Sequence, residues 1–209
     1  IDGGGFLPLP VALPMVRDAC QALVFAERRQ IVHRDIKPEN LFLNADGIVK
    51  IGDLGLAHDT TAGSDQPGGV FGTPHFIAPE QALGRPIDHR ADIYALGATF
   101  YRMITGVTPY RGANVKEILR KQVKDQPPYA AERPSDLDAE VPFPSIPPAV
   151  ADVIFKMMAK NPQERYASAA LVLEELQALT AIVGRPLRGV GSAVRPPVGV
   201  EASDGAASR

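Results

Sequence analysis

The chain has 209 residues, of which 45% are hydrophobic and 22% charged, with a formal net charge of −2. That length suffices for one domain or one large lobe with a sizeable core, and the near-balanced charge offers no basic field for nucleic acid or an anionic membrane. The single cysteine, Cys20, excludes an internal disulfide, and no run of 18 consecutive apolar residues reads as a bilayer span.

Taken in chain order, the start is loop-like at Gly3-Gly4-Gly5, and residues 1–13 read as the remnant of a loop region. From Pro14 to Arg29, Val16, Ala19, Cys20, Leu23 and Val24 recur at helical spacing, with Pro14 suited to a first turn. Cys20 lies in this stripe and reads as core filler. Ile31-Val32 forms a short strand. Leu41-Phe42-Leu43 and Ile48-Val49-Lys50-Ile51 flank Asn44-Ala45-Asp46-Gly47, whose Asp-Gly signals a hairpin. Residues 56–71 are polar and Gly-rich and read as a mobile surface loop.

Residues 91–105 are apolar and long enough for a fully buried helix. Asn114–Lys124 predicts an amphipathic helix capped by Asn114. The proline-rich stretch 126–148 is expected to be extended or irregular. Two more helices follow, Pro148–Lys160 and Ser168–Ile182. Ser168 is the candidate cap of the second, with Leu171, Leu173, Leu176 and Leu179 as its buried stripe. Residues 184–209 are Gly, Pro, Ala, Ser and Arg without period and read as disordered linker.

The chemistry is concentrated between residues 33 and 53. His33-Arg34-Asp35-Ile36-Lys37-Pro38-Glu39-Asn40 is followed, thirteen residues after Asn40, by Asp53-Leu54-Gly55. Moving a phosphoryl group needs an aimed nucleophile and cancelled negative charge more than covalent help. Asp35 is placed to accept a hydrogen bond from an attacking hydroxyl. Lys37 can reach the transferring phosphate. Asn40 and Asp53 offer the oxygen ligands that Mg2+ prefers. The hairpin between them brings its outer ends together, so folding it builds the metal site.

The string resembles the catalytic loop of eukaryotic-type protein kinases, and Asp53-Leu54-Gly55 resembles their metal-binding Asp-Phe-Gly, with Leu for Phe. Gly72-Thr73-Pro74-His75-Phe76-Ile77-Ala78-Pro79-Glu80 resembles the segment that closes the activation loop. Asp92-Ile93-Tyr94-Ala95-Leu96-Gly97 is similar to the start of the buried helix after it. Lys160-Asn161-Pro162 with Arg165 resembles the turn whose guanidinium pairs with Glu80. The match runs over roughly residues 10–182. Leu54 and the Gly/Ala/Pro tail are similar to bacterial members of the family.

The resemblance implies a mainly α fold, the C-lobe of the α+β kinase fold over residues 14–183, with a small catalytic-loop β-hairpin. It implies ATP and Mg2+ as cofactors and a protein substrate with a Ser or Thr acceptor. Asp35 would be the catalytic base, and Phe42 or Leu41 the floor under adenine. Thr73 would close the site by bonding Asp35 and Lys37 beside the substrate. His33, Arg34, Glu80, Asp92 and Arg165 would be structural, with Asp92 anchoring the catalytic-loop backbone. Arg34 would also take a phosphate from Thr60, Thr61 or Ser64.

No Gly-x-Gly-x-x-Gly and no Val-Ala-Ile-Lys-like strand occurs. The small N-lobe and hinge are therefore expected to be missing, residues 1–13 being what remains of the hinge region. The chain alone is expected to be inactive and the intact protein an active serine/threonine kinase. The competing function is a pseudokinase-like binding or scaffold module. The expected location is the cytoplasm, with a membrane reached only through segments outside this sequence, and no nucleic acid partner is expected.

Overall fold

In the computed structural model the described residues are 5–53, 58–59 and 73–183. The elements are α1 (Leu9–Arg28), β1 (Ile31–Val32), β2 (Leu41–Leu43), β3 (Val49–Ile51), β4 (His58–Asp59), α2 (Pro79–Ala82), α3 (Arg90–Thr105), α4 (Val115–Lys124), α5 (Pro148–Met157) and α6 (Ala169–Val183). Single 3-10 turns at Pro38–Asn40 and Pro162–Glu164 complete them. The described part is therefore mainly helical with two small two-stranded sheets.

The core is built around α3, whose apolar residues occur on every side of the helix and are buried on every side. α1 and α5 pack on α3, and α6 packs on α1 and α5. α3 and α5 approach closely at Gly97, where an added Cβ would stand 2.8 Å from Met157 Cβ on α5. α3 ends where Gly106 takes the left-handed conformation at φ 78, which glycine adopts without a Cβ clash. α4 starts as its sequence requires: Asn114 Oδ1 accepts from the Glu117 N–H at 3.0 Å.

Two expectations are corrected. α1 begins at Leu9, so residues 9–13, read as loop, are its first turns and Pro14 lies inside the helix. Proline there removes one backbone bond. The burial of Ala12, Leu13 and Val16 against the core, with Pro10 supplying the first-turn proline instead, holds the helix through it. In α6 the buried stripe is Ala169, Val172, Leu176 and Leu179, whereas Leu171 is exposed and Leu173 only partly buried. Many α6 positions are apolar, so periodicity left its phase open and the packing on α1 chose it.

Among the described residues, one helix meets the length and composition of a bilayer span and needs its packing to be read. α1 is 20 residues long with mean hydropathy 1.3, enough by length and composition to cross a bilayer. Its buried residues, Ala12, Leu13, Val16, Ala19, Cys20 and Leu23, nevertheless form one stripe facing α3 and α6. Asp18 on the same helix accepts the Val49 N–H at 3.2 Å, tying the helix to β3. These contacts are those of a core helix. Burial also pushes the Cys20 thiol up to about 12, the Glu27 carboxylate adding to it, and its Sγ sits 3.2 Å from Ala169 O, the environment of a packed thiol rather than a nucleophile.

The β2–β3 hairpin pairs Leu41 with Ile51, Phe42 with Lys50 and Leu43 with Val49. Gly47 turns at φ 75, and Asn44 Oδ1 accepts the N–H groups of Asp46 and Ile48 at 3.0 and 2.8 Å. β1 pairs antiparallel with β4, which brings the segment before His33 against residues 58–59. His75 and His89 make separate contacts: His75 Nδ1 lies 3.1 Å from Tyr110 O and His89 Nε2 lies 2.9 Å from Ala167 O.

Candidate active site

The loop from His33 to Asn40 is held by α3 from below. Asp92, in the first turn of α3, accepts the His33 N–H at 2.7 Å and the Arg34 N–H at 2.9 Å, one on each carboxylate oxygen. Burial pushes the Asp92 carboxyl up, and these two N–H groups pull it back. Gln81 Nε2 donates to Arg34 O at 2.9 Å. Between them these contacts secure a backbone in which Arg34 takes φ 72, a left-handed conformation that costs a non-glycine residue about 1–3 kcal/mol.

His33 is buried and joins this loop to the end of the hairpin. Its Nδ1 accepts the Asp35 N–H at 3.4 Å while its Nε2 lies 3.0 Å from Gly52 O. Both contacts are made by the tautomer carrying its proton on Nε2. The Gly52 N–H in turn donates to Asn40 O at 2.9 Å. Asp53, the next residue, is exposed and takes φ 57. The outer ends of the hairpin are thus joined through the backbone, Asn40 on one side and Asp53 one residue beyond the other.

Asp35 is the centre of the polar arrangement. Lys37 Nζ donates to its Oδ2 at 2.7 Å and to Thr73 Oγ1 at 2.9 Å. Thr73 donates twice to Oδ1, from its N–H at 3.0 Å and from its hydroxyl at 2.9 Å. Asn40 Nδ2 donates to the Asp35 backbone oxygen at 2.8 Å and lies 3.3 Å from Oδ2. Burial alone would raise the Asp35 carboxyl, but the hydrogen bonds from Lys37 and Thr73 outweigh it and hold the group below the ordinary carboxylate range. At neutral pH Asp35 is an oriented anion.

The donor set suits a hard cation. Asn40 spends its amide N–H groups on Asp35, so the group it has left for a ligand is its carboxamide oxygen, with the Asp53 carboxylate nearby in sequence and backbone. Phe42 is 55% exposed, and its ring lies against Gly52, where an added Cβ would stand 2.5 Å from it. Leu41 instead packs against the core. Of the expected site residues, Asp35, Lys37, Asn40 and Thr73 are therefore brought into mutual contact. Leu54, Gly55, Thr60, Thr61, Ser64 and Gly72 lie outside the described residues.

The frame around the site is equally specific. Arg165, with a side chain wholly buried, donates to Glu80 through Nη1 at 2.6 Å and Nη2 at 2.7 Å. It also donates to Ala159 O, Arg90 O and Lys160 O at 2.8, 2.9 and 3.3 Å. Arg34 Nε is buried without a hydrogen-bond partner among the described residues. Sequence reasoning passed over Gln81, Gln122 and the lysine of Lys160-Asn161-Pro162 as polar groups with work to do. Lys160 Nζ donates to Tyr110 Oη at 2.6 Å and Gln122 O at 2.7 Å. The available signal was Gln122 standing four residues after Ile118, on the buried stripe of α4.

The protein kinase domain family matches residues 6–176. The serine/threonine-protein kinase PknB of Mycolicibacterium smegmatis is 34% identical over 168 residues, covering 79% of this chain and 25% of the relative. A probable serine/threonine-protein kinase of Corynebacterium efficiens is 35% identical over 182 residues, covering 86% and 27%. One from Clostridium perfringens is 33% identical over 174 residues, covering 83% and 24%. The chain thus spans about a quarter of the length of these curated relatives. With the loop from His33 to Asn40, the Thr73 closure and the Glu80–Arg165 pair in place, this chain belongs to the protein kinase family, among relatives that are bacterial serine/threonine-protein kinases.

Proposed function

We propose that this chain is the catalytic lobe of an ATP-dependent protein serine/threonine kinase. The observation that carries the reading is the convergence of Lys37, Thr73 and Asn40 on Asp35. Asp35 orients a Ser or Thr hydroxyl and takes its proton as the hydroxyl oxygen bonds to the γ-phosphorus and the bond to the β-phosphate oxygen breaks, leaving ADP. Lys37 stabilises the transferring phosphoryl group. Thr73 holds both side chains while the turn that begins with it lies beside the acceptor. Asn40 and Asp53 would hold magnesium, which when bound neutralises charge on the nucleotide phosphates. The exposed Phe42 ring is the floor on which adenine rests.

The C-lobe reading over residues 14–183 is supported by the packing of α1, α3, α5 and α6 on one another, and the proposed linker 184–209 lies outside the described residues. None of the 209 residues supplies a Gly-rich phosphate loop, so the roof of the nucleotide site comes from residues beyond this sequence. On that reading the 209-residue chain by itself turns over negligibly, because misplacing reacting atoms by about 1 Å costs roughly a hundredfold. Arg34, with its unpartnered Nε, receives a phosphate from the segment carrying Thr60, Thr61 and Ser64. A free buried thiol and the need for ATP support a cytoplasmic location for the lobe. A non-catalytic scaffold role has no need for Lys37 and Thr73 on Asp35.

The test is Asp35→Asn in the full-length protein, assayed for phosphate transfer from ATP to a Ser/Thr protein acceptor. The expected result is a loss of roughly 10²–10⁴-fold in kcat with folding retained. A variant that transfers at the wild-type rate removes Asp35 from the role. A full-length wild-type protein with no transfer on a broad acceptor panel supports the scaffold alternative.

A further inference from the structure

Outside the catalytic loop, the side chain of Gln122 on α4 is 0% exposed. A buried carboxamide is costly unless its donors and acceptor are used. Here they are. Gln122 Oε1 accepts from the Tyr94 hydroxyl of α3 at 2.5 Å. Its Nε2 donates to Pro74 O at 3.1 Å and His75 O at 2.9 Å. Its backbone oxygen accepts from Lys160 Nζ. One side chain therefore ties three things together: the central helix, α4, and two consecutive carbonyls of the turn that starts at Thr73.

That turn is tight. The N–H groups of Phe76 and Ile77 both donate to Thr73 O, at 2.9 and 3.2 Å. The carbonyls of Pro74 and His75 point away from this knot, and Gln122 takes both of them. Thr73, one residue before Pro74, makes the two bonds to Asp35 Oδ1. The path from α4 to the catalytic carboxylate is thus one amide and one turn, with no exposed link.

We propose that Gln122 is a positioning residue for the protein acceptor: it sets the height of the 73–76 turn, and through that turn both the seat of the acceptor and the hold of Thr73 on Asp35. The inference deepens the kinase reading and rests on it. It also explains the residue type. A glutamate of the same shape would set a carboxylate against two carbonyl oxygens and lose both donations. A leucine would leave Pro74 O, His75 O and the Tyr94 hydroxyl without a partner.

The experiment uses the full-length protein and two readouts on Gln122→Leu and Gln122→Glu. In steady-state kinetics KM for the protein acceptor is expected to rise at least tenfold while KM for ATP moves less than threefold. By hydrogen exchange, the Phe76 and Ile77 amides are expected to exchange at least tenfold faster while the α3 amides keep their protection. Tyr94→Phe, which removes only the hydroxyl that fixes Oε1, is expected to shift both readouts in the same direction by a smaller factor. It serves where a Gln122 variant fails to fold. KM values that move together, or turn amides exchanging at the wild-type rate, overturn the proposal. If the wild-type protein transfers no phosphate, the kinase reading fails while the exchange measurement still decides whether Gln122 pins the turn.

Discussion

The Glu80–Arg165 pair allows a quantitative prediction. Arg165 is wholly buried and Glu80 is 9% exposed at its side chain, so water screens little of their attraction. Glu80→Ala leaves the guanidinium buried with three carbonyl acceptors but no counter-charge. Breaking one member of such a pair costs about 3–5 kcal/mol. A domain of this class has roughly 5–15 kcal/mol of stability in all, so the loss is a large fraction of it. With a urea dependence of about 2 kcal/mol per molar, the midpoint falls by roughly 1.5–2.5 M. The assay is urea unfolding followed by circular dichroism on wild type, Glu80→Ala, and the double variant Glu80→Met with Arg165→Met.

The double variant carries the sharper information. Were the pair self-contained, replacing both members by apolar residues of similar volume would be near neutral. Arg165 also serves Ala159 O, Arg90 O and Lys160 O. Arg90 O keeps its helical donor, the Tyr94 N–H, but Ala159 O and Lys160 O lose theirs. Each buried carbonyl left without a donor costs about 1–3 kcal/mol, so the double variant is expected to remain about 2 kcal/mol or more below wild type. A cost under about 1 kcal/mol for Glu80→Ala refutes the buried-pair argument. A double variant at wild-type stability refutes the role given to Ala159 O and Lys160 O.

Two further outcomes follow from packing and charge. Gly97→Ala puts a methyl 2.8 Å from Met157 Cβ and 3.1 Å from Met158 Cγ. Overpacking outweighs the helix propensity gained, for a net loss of about 1–2 kcal/mol, read as a lower melting temperature; an unchanged or higher one contradicts the close α3–α5 contact. Burial pushes Lys160 down to about 7, with the Asp125 carboxylate pulling it back and Arg165 adding to the depression. The unfolded lysine titrates near 10.4, so between about pH 7 and 10 the unfolded state binds the extra proton and this group's contribution to stability rises with pH. That contribution is lost as pH falls through about 7. Lys160→Met is expected to flatten the rise, by up to about 1.4 kcal/mol per pH unit between pH 7 and 9; an identical slope in the variant removes Lys160 as its source.

Much of this protein is written locally. The string from His33 to Asn40, the Asp46-Gly47 turn and the Asn114 cap each specify their structure through neighbours a few residues away, since turns, caps and 3-10 turns are closed by short-range backbone bonds. The hairpin that joins Asn40 to Gly52 is legible for the same reason. α3 is legible because a helix apolar on every side has only one place to go.

Other features had no local author. Thr73 reaches Asp35 across 38 residues, and Gln122 reaches His75 across 47. Residue type announced Thr73 only through a family resemblance and announced Gln122 hardly at all, because a glutamine between Lys121 and Val123 reads as solvated until the face of α4 that meets the 73–76 turn is known. Leu176 and Leu179 lie on the buried face of α6 as expected, whereas Leu171 and Leu173 fall off it and α1 starts at Leu9 rather than Pro14, both for a related reason. Where apolar residues exceed the positions a partner can cover, periodicity fixes that a helix exists but not which side of it is buried or how far it runs; the neighbouring helix decides that, by burying one face and leaving the rest to water.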